Sequence, residues 1–239
     1  SFDFGRDCAI ASVEAQSRGE TFADRLGLLK RPLVPVASLH IPGDLNDPGP
    51  DAKVKIGRSS IEADVDAIGS LVDQFPNVRI RLDANGSSSR SDALKLAHSL
   101  APLQKNIEFV EEPWASCFDV DNRSDYPFAM AIDESMGRCD WRNADICVLK
   151  PAISGPLGGQ LDLMHNIRKS GRRLVLSSSW ESIAGRSTMQ LMASRREGPA
   201  IGIGLPAPFR ADLHAVPPAW FERGSPVGAS AEIPGDHRG

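Results

Sequence analysis

The sequence predicts an eight-stranded (β/α)8 barrel of the TIM type, in the α/β class, from three observations. Short apolar runs of strand length recur along the chain, helical apolar repeats fall between several of them, and charged residues gather where the runs end. Alternating strand and helix implies parallel strands joined by crossover helices, and eight repeats in this length fit a closed ring better than an open sheet.

The elements follow in order. Residues 1–32 form an N-terminal connecting segment with one helix, from Arg6 to about Arg18, carrying Ala9, Ile10 and Val13 on one face. The expected strands are Leu33–Leu39, Ala52–Ile56, Val78–Leu82, Ile107–Val110, Ala129–Ile132, Ile146–Leu149, Arg173–Leu176 and Ala200–Gly204, most of them rich in Val and Ile. Helical spacing joins Ile61, Val65, Ile68, Leu71 and Val72, then Ala93, Leu94, Ala97 and Leu100, then Leu161, Met164 and Ile167. After the first strand, Pro42, Gly43, Pro48, Gly49 and Pro50 argue against a helix, so the first crossover is irregular. The barrel is expected over 33–215, and 216–239, rich in Pro, Gly and Ser, is an irregular tail.

Composition narrows the function classes. The 239 residues carry 27 Lys plus Arg against 31 Asp plus Glu, a formal net charge of −4, which excludes a strongly basic nucleic-acid binder. No apolar run approaches the roughly 18 residues of a membrane span, and no signal-peptide core opens the chain, so a cytoplasmic protein with no membrane partner is expected. Residue 1 is Ser, and the natural chain is expected to begin earlier. Cys8, Cys117, Cys139 and Cys147 show no CxxC spacing and are expected to be buried free thiols. Oligomeric state is left open.

In such a barrel the active site lies at the carboxyl ends of the strands. There the sequence places Lys53 and Lys55, then Arg81, Asp83 and Asn85, then Glu111-Glu112-Pro113, Asp133-Glu134-Ser135, Lys150-Pro151 and Ser177-Ser178-Ser179. Side chains alternate along a strand, so Lys53 shares a face with Lys55, and Arg81 with Asp83. Charges inside a barrel need partners or a metal. Asp83, Glu111 and Asp133 lie on three adjacent strands and can converge; hard oxygen ligands with room for water suit Mg²⁺, and the scarcity of histidine argues against zinc. The second and sixth strands stand opposite in an eight-membered ring, which puts Lys55 and Lys150 on facing walls with the carboxylates between. A metal flanked by two amines suits removal of a proton next to a carboxylate, with a cation stabilising the enediolate. Lys53 is expected to lower the Lys55 pKa by like-charge repulsion. Arg81 and Asn85 are read either as supports for Asp83 or as substrate contacts.

The ordered set Lys53-x-Lys55, Arg81-x-Asp83-x-Asn85, Glu111-Glu112-Pro113, Asp133-Glu134-Ser135 and Lys150-Pro151 resembles the enolase superfamily in its muconate-cycloisomerase-like subgroup. Within it, Ala52-Lys53-Val54-Lys55-Ile56-Gly57 and Ser177-Ser178-Ser179-Trp180-Glu181-Ser182 are most similar to the o-succinylbenzoate synthase family, over about Phe4 to Leu205. The resemblance implies that Asp83, Glu111 and Asp133 bind Mg²⁺, or Mn²⁺ in its place. It implies Lys55 as the acid/base and Lys150 as the cation facing the enediolate. Ser177, Ser178, Ser179, Gly202 and Gly204 would give room and donors to the succinyl arm of a small-molecule carboxylate substrate. The implied reaction is a dehydration in menaquinone biosynthesis. Family members carry an N-terminal α+β cap that this chain is expected largely to lack. The alternatives are an N-acylamino acid racemase or another cycloisomerase-like enzyme, a Schiff-base aldolase using Lys150, and a capless barrel without turnover.

Overall fold

Eight parallel strands close on themselves in chain order in the computed structural model, with each strand hydrogen-bonded to the next and β8 to β1. The structure describes residues 2–27, 38–40, 47–117, 124–177, 179, 188–189, 191–193 and 203–206. The strands are β1 (Ser38–His40), β2 (Asp51–Lys55), β3 (Arg79–Asp83), β4 (Ile107–Glu111), β5 (Met130–Ile132), β6 (Ile146–Leu149), β7 (Arg173–Ser177) and β8 (Ile203–Pro206). A 16-residue helix, α1 (Phe2–Ser17), and a single turn, α2 (Phe22–Arg25), precede them; α3 (Ile61–Gln74), α4 (Arg90–Ser99) and α5 (Leu157–Lys169) are crossovers.

Alternation sorts the apolar residues into three clusters. Phe109, Ala131, Ile146, Val148 and Val175 fill the barrel interior. Val54, Ile80, Leu82 and Val110 point outward and pack under Ile68, Leu71, Leu96 and Ala97 of α3 and α4. On the opposite side Ile132, Cys147, Leu149, Leu174 and Leu176 meet Met164 and Ile167 of α5, with Phe4 and Ala23 from the N-terminal helices. The crossover helices start where local caps allow. The Ser60 hydroxyl accepts from the Ala63 amide at 3.2 Å, and the Ser89 hydroxyl from the Asp92 amide at 3.1 Å, each satisfying a free first-turn donor.

Several expectations are corrected. The packed face of α1 is Phe4, Cys8, Ala11 and Ala15, not the expected Ala9, Ile10 and Val13; Ile10 and Val13 are exposed. The spacing of four, three and four is itself helical, and small residues at 11 and 15 allow close approach to the barrel side. Helix α2 was not expected, although Thr21 and Asp24 form a reciprocal capping box. Strand β8 runs on to Pro206, two residues past the expected end at Gly204, because closure pairs Leu39 with Pro206 and Ser177 with Gly204; 200–202 lie outside the described residues. Of the four cysteines, Cys117 and Cys139 form a disulfide and only Cys8 and Cys147 are free. Residues 47–50 hold no helix, in keeping with their prolines; 33–37, 41–46 and the expected tail 216–239 lie outside the described residues. Among the described residues no helix is long and apolar enough to cross a membrane.

Candidate active site

Register sets the height of each charged side chain. Lys55, Asp83 and Glu111 are aligned across β2, β3 and β4, one step above the row of Lys53, Arg81 and Phe109. Glu111 shares its face with the interior Phe109, Asp133 with the interior Ala131, and Lys150 with the interior Val148. These side chains therefore point into the carboxyl-terminal mouth of the barrel.

Their contacts form two linked groups. Lys53 Nζ lies 2.8 Å from Asp83 Oδ2 and donates to Glu111 Oε2 at 2.6 Å. Lys55 Nζ donates to the same Asp83 oxygen at 2.6 Å and to Asn85 Oδ1 at 2.6 Å. On the facing wall Lys150 Nζ lies 2.7 Å from Asp133 Oδ2 and donates to Glu134 Oε1 at 2.8 Å. Asn85 Nδ2 reaches that Glu134 oxygen at 3.4 Å, so a chain of polar contacts runs across the mouth from Lys55 to Lys150.

Burial governs the electrostatics. It pushes Glu111 up to about 7, with Lys53 opposing and the charges of Asp83 and Asp133 adding to the rise. Burial likewise raises Asp133 to about 6, against the pull of Lys150. Burial also acts to raise Asp83, but the Lys53 and Lys55 ammoniums outweigh it and hold Asp83 below the usual range. For Lys53 burial favours the neutral amine, yet Glu111 and Asp83 win and its pKa stands above the lysine range. Lys150 is raised in the same way by Asp133 and Glu134 against its burial. The Asp83 carboxylate lies between the Lys53 and Lys55 ammoniums, in contact with both.

The donor chemistry fits a hard divalent cation. Three acidic side chains repel one another in a buried mouth, and Asp133 Oδ2 is buried without a well-aligned hydrogen-bond donor despite its ion pair. Among the described residues no three acidic, histidine or cysteine side chains close into a ready cage. Lys53 and Lys55 occupy carboxylate oxygens that a cation would need.

Other expected residues sit elsewhere. The Arg81 Nε donates to Glu108 Oε2 at 2.7 Å, Arg173 pairs with the other Glu108 oxygen, and both guanidiniums lie over the Phe109 ring. Arg81 is therefore bound to Glu108 in the barrel floor, one register step below Asp83. Ser177 ends β7 on the inward face of Val175, buried and level with Gly204 of β8. Ser179 is half-buried; Ser178 and Gly202 lie outside the described residues.

Glu112 was not foreseen as a site member. Its backbone sits at φ 44°, rare for a residue with a side chain, as does Asn85 at φ 49°. That turn carries the buried Glu112 carboxylate sideways, where Oε1 accepts from the Asp133 amide at 2.7 Å, the Ser135 amide at 3.1 Å and the Ser135 hydroxyl at 2.6 Å. The end of β4 thereby fixes the backbone that presents Asp133. Two adjacent glutamates before a proline were the available signal.

Comparison with known proteins agrees with this fold. Residues 50–138 match the family described as enolase C-terminal domain-like. The o-succinylbenzoate synthase of Pectobacterium atrosepticum is 31% identical over 153 residues, which cover 60% of this chain and 46% of that protein. The chain thus spans less than half the length of this curated relative. A mandelate racemase/muconate lactonizing enzyme from Bordetella bronchiseptica superposes with a TM-score of 0.73 at 18% identity, covering 92% of this chain and 66% of its own. An enolase from Thermobispora bispora, complexed with magnesium and formate, gives 0.67 at 18% identity, covering 84% and 56%. The described barrel is a TIM-type barrel, its residues 50–138 match the enolase C-terminal domain-like family, and the chain is similar to o-succinylbenzoate synthases over part of their length.

Proposed function

We propose that the chain catalyses the dehydration of 2-succinyl-6-hydroxy-2,4-cyclohexadiene-1-carboxylate to o-succinylbenzoate, as a carbon–oxygen lyase of menaquinone biosynthesis in the cytoplasm. The observation that carries this reading is the pair of lysines facing each other over three buried carboxylates, in a chain 31% identical over 153 residues to a synthase of that name. Asp83, Glu111 and Asp133 would hold Mg²⁺, or Mn²⁺ in its place. The ion would supply Lewis-acid stabilisation of charge on the substrate carboxylate.

The chain's own residues do the rest. Lys55, as the neutral amine, takes the proton alpha to the carboxylate, and the electron pair left behind spreads into the carboxylate as an enediolate. Lys150, held charged by Asp133 and Glu134, faces that developing negative charge. The Lys55 ammonium then returns its proton to the departing hydroxyl, water leaves, and the ring becomes aromatic. Asn85 orients the Lys55 amine through its side-chain oxygen. Ser177 and Gly204, at one level on β7 and β8, line the side expected to take the succinyl arm.

The facing lysines also favour a second reading, racemisation of an N-acylated amino acid, in which Lys55 and Lys150 each serve one face. One experiment separates the two. Loss of cyclohexadiene absorbance on adding the chain with Mg²⁺, abolished by chelator, is the expected result. No absorbance change, together with uptake of solvent deuterium at the alpha carbon of an N-succinyl amino acid, overturns the dehydratase in favour of the racemase.

A further inference from the structure

We propose that the Cys117–Cys139 disulfide is a redox-responsive clamp on the acidic wall of the site, opened and closed by thiol–disulfide exchange with a dithiol. Cys117 lies six residues after Glu111, and Cys139 six residues after Asp133. The bridge therefore ties together the two segments that leave β4 and β5 carrying those acids. Glu112 joins the same two segments without a covalent bond, through Asp133 and Ser135. Cys139 is coupled directly to that network, because its amide donates to the Ser135 carbonyl at 2.9 Å.

Reagents can reach the bridge. Cys117 is exposed and Cys139 half-buried, and exposed disulfides are the labile ones. The free thiols do not compete: burial pushes Cys8 up to about 11 and Cys147 up to about 12, so both remain protonated near neutral pH. The exchange balances. The attacking dithiol becomes a disulfide and gives up two electrons and two protons, and Cys117 and Cys139 take these up as two thiols. With the bridge open, the covalent tie between the two segments is gone while the Glu112 hydrogen bonds remain, and the backbone of Asp133 opens more often.

The functional weight of this clamp rests on the reading of Asp133 as a metal ligand, so the test includes a measurement that needs neither metal nor substrate. Hydrogen exchange of the Asp133 and Ser135 amides and calorimetric titration with Mg²⁺ are compared for the full chain, oxidised and then treated with dithiothreitol. Reduction is expected to speed exchange of both amides by about 10-fold and to weaken Mg²⁺ binding by about as much, with recovery on reoxidation. The double variant C117S/C139S is expected to match the reduced protein under both conditions. Equal amide exchange in the oxidised and reduced chain overturns the clamp, as does a double variant that still responds to dithiothreitol. If that variant does not fold, the oxidised and reduced natural chain still decide. Faster exchange with unchanged Mg²⁺ affinity upholds the clamp and counts instead against Asp133 as a ligand.

Discussion

Glu112 spends a left-handed backbone conformation to bring a buried carboxylate against three donors on the neighbouring strand end. Truncation of Glu112→Ala would leave the Asp133 amide and the Ser135 amide and hydroxyl buried without an acceptor. The expected cost is roughly 2–4 kcal/mol in denaturant unfolding, with Glu112→Gln losing less because one oxygen still accepts; equal stability of Glu112→Ala and the parent would refute the clamp-like role. Glu111 and Asp133 make a second prediction. Both have folded pKa values above their ordinary 4.5 and 3.8, so between those values and about 7 the native chain holds more protons than the unfolded one. Their contribution is present below that interval and is lost as pH rises through about 6 and then about 7. In chelator, the melting temperature is expected to be higher near pH 5.5 than near pH 7.5, and saturating Mg²⁺ should flatten or reverse the trend. A chelated protein that gains stability across this interval would contradict the proposed electrostatics. Residues whose facing follows from strand alternation, such as Lys55, Asp83, Glu111, Asp133 and Lys150, were legible in the sequence. Glu112, Glu134 and the Cys117–Cys139 pairing were not, because each depends on how a loop turns after its strand.

Among the elements, α5 has an N-terminus that its own sequence does not cap. Pro156 stands at the cap position without a side-chain acceptor, and Asp7 of α1 accepts the Leu157 amide at 3.1 Å in its place. A cap supplied from 150 residues away binds the N-terminal helix to the barrel, and no local pattern announces it. Asp7→Ala is expected to cost about 1 kcal/mol in chemical denaturation, with Asp7→Asn close to the parent; a cost near zero for Asp7→Ala would show that solvent caps α5 equally well. The reverse holds at α2, where the capping box of Thr21 and Asp24 is written locally and is readable from the sequence. The expected face of α1 failed for another reason. Ala9, Ile10 and Val13 are the more hydrophobic choice, but close packing selected the face with Phe4, Cys8, Ala11 and Ala15.

Across the whole molecule, closure of the barrel converts strand order into chemistry. Six of its strands, β2 to β7, could be anticipated to within a residue or two from runs rich in Val and Ile, whereas most of the expected first strand lies outside the described residues and β8 runs on to Pro206, which closure pairs with Leu39. The floor is sealed by the Arg81–Glu108–Arg173 ion pairs and Phe109, leaving the opposite end to gather the carboxylates and amines. Arg81 could not be assigned to floor or mouth from the sequence, since alternation gives it the same face as Asp83, and Lys53, in the same row, reaches up to Asp83 while Arg81 is held by Glu108. The central claim is that Lys55 moves the proton and that Lys150, across the barrel, does not. It is tested most directly by the rate of o-succinylbenzoate formation, followed at saturating Mg²⁺, for the natural chain, Lys55→Ala and Lys150→Ala, with isotope exchange at the substrate alpha carbon measured alongside. The expected result is turnover by the natural chain, loss of both turnover and exchange by about 10²–10⁴-fold in Lys55→Ala, and a slowed but base-competent Lys150→Ala that still exchanges the alpha proton. Native-like turnover by Lys55→Ala, or exchange that persists in it and disappears in Lys150→Ala, would contradict the assignment.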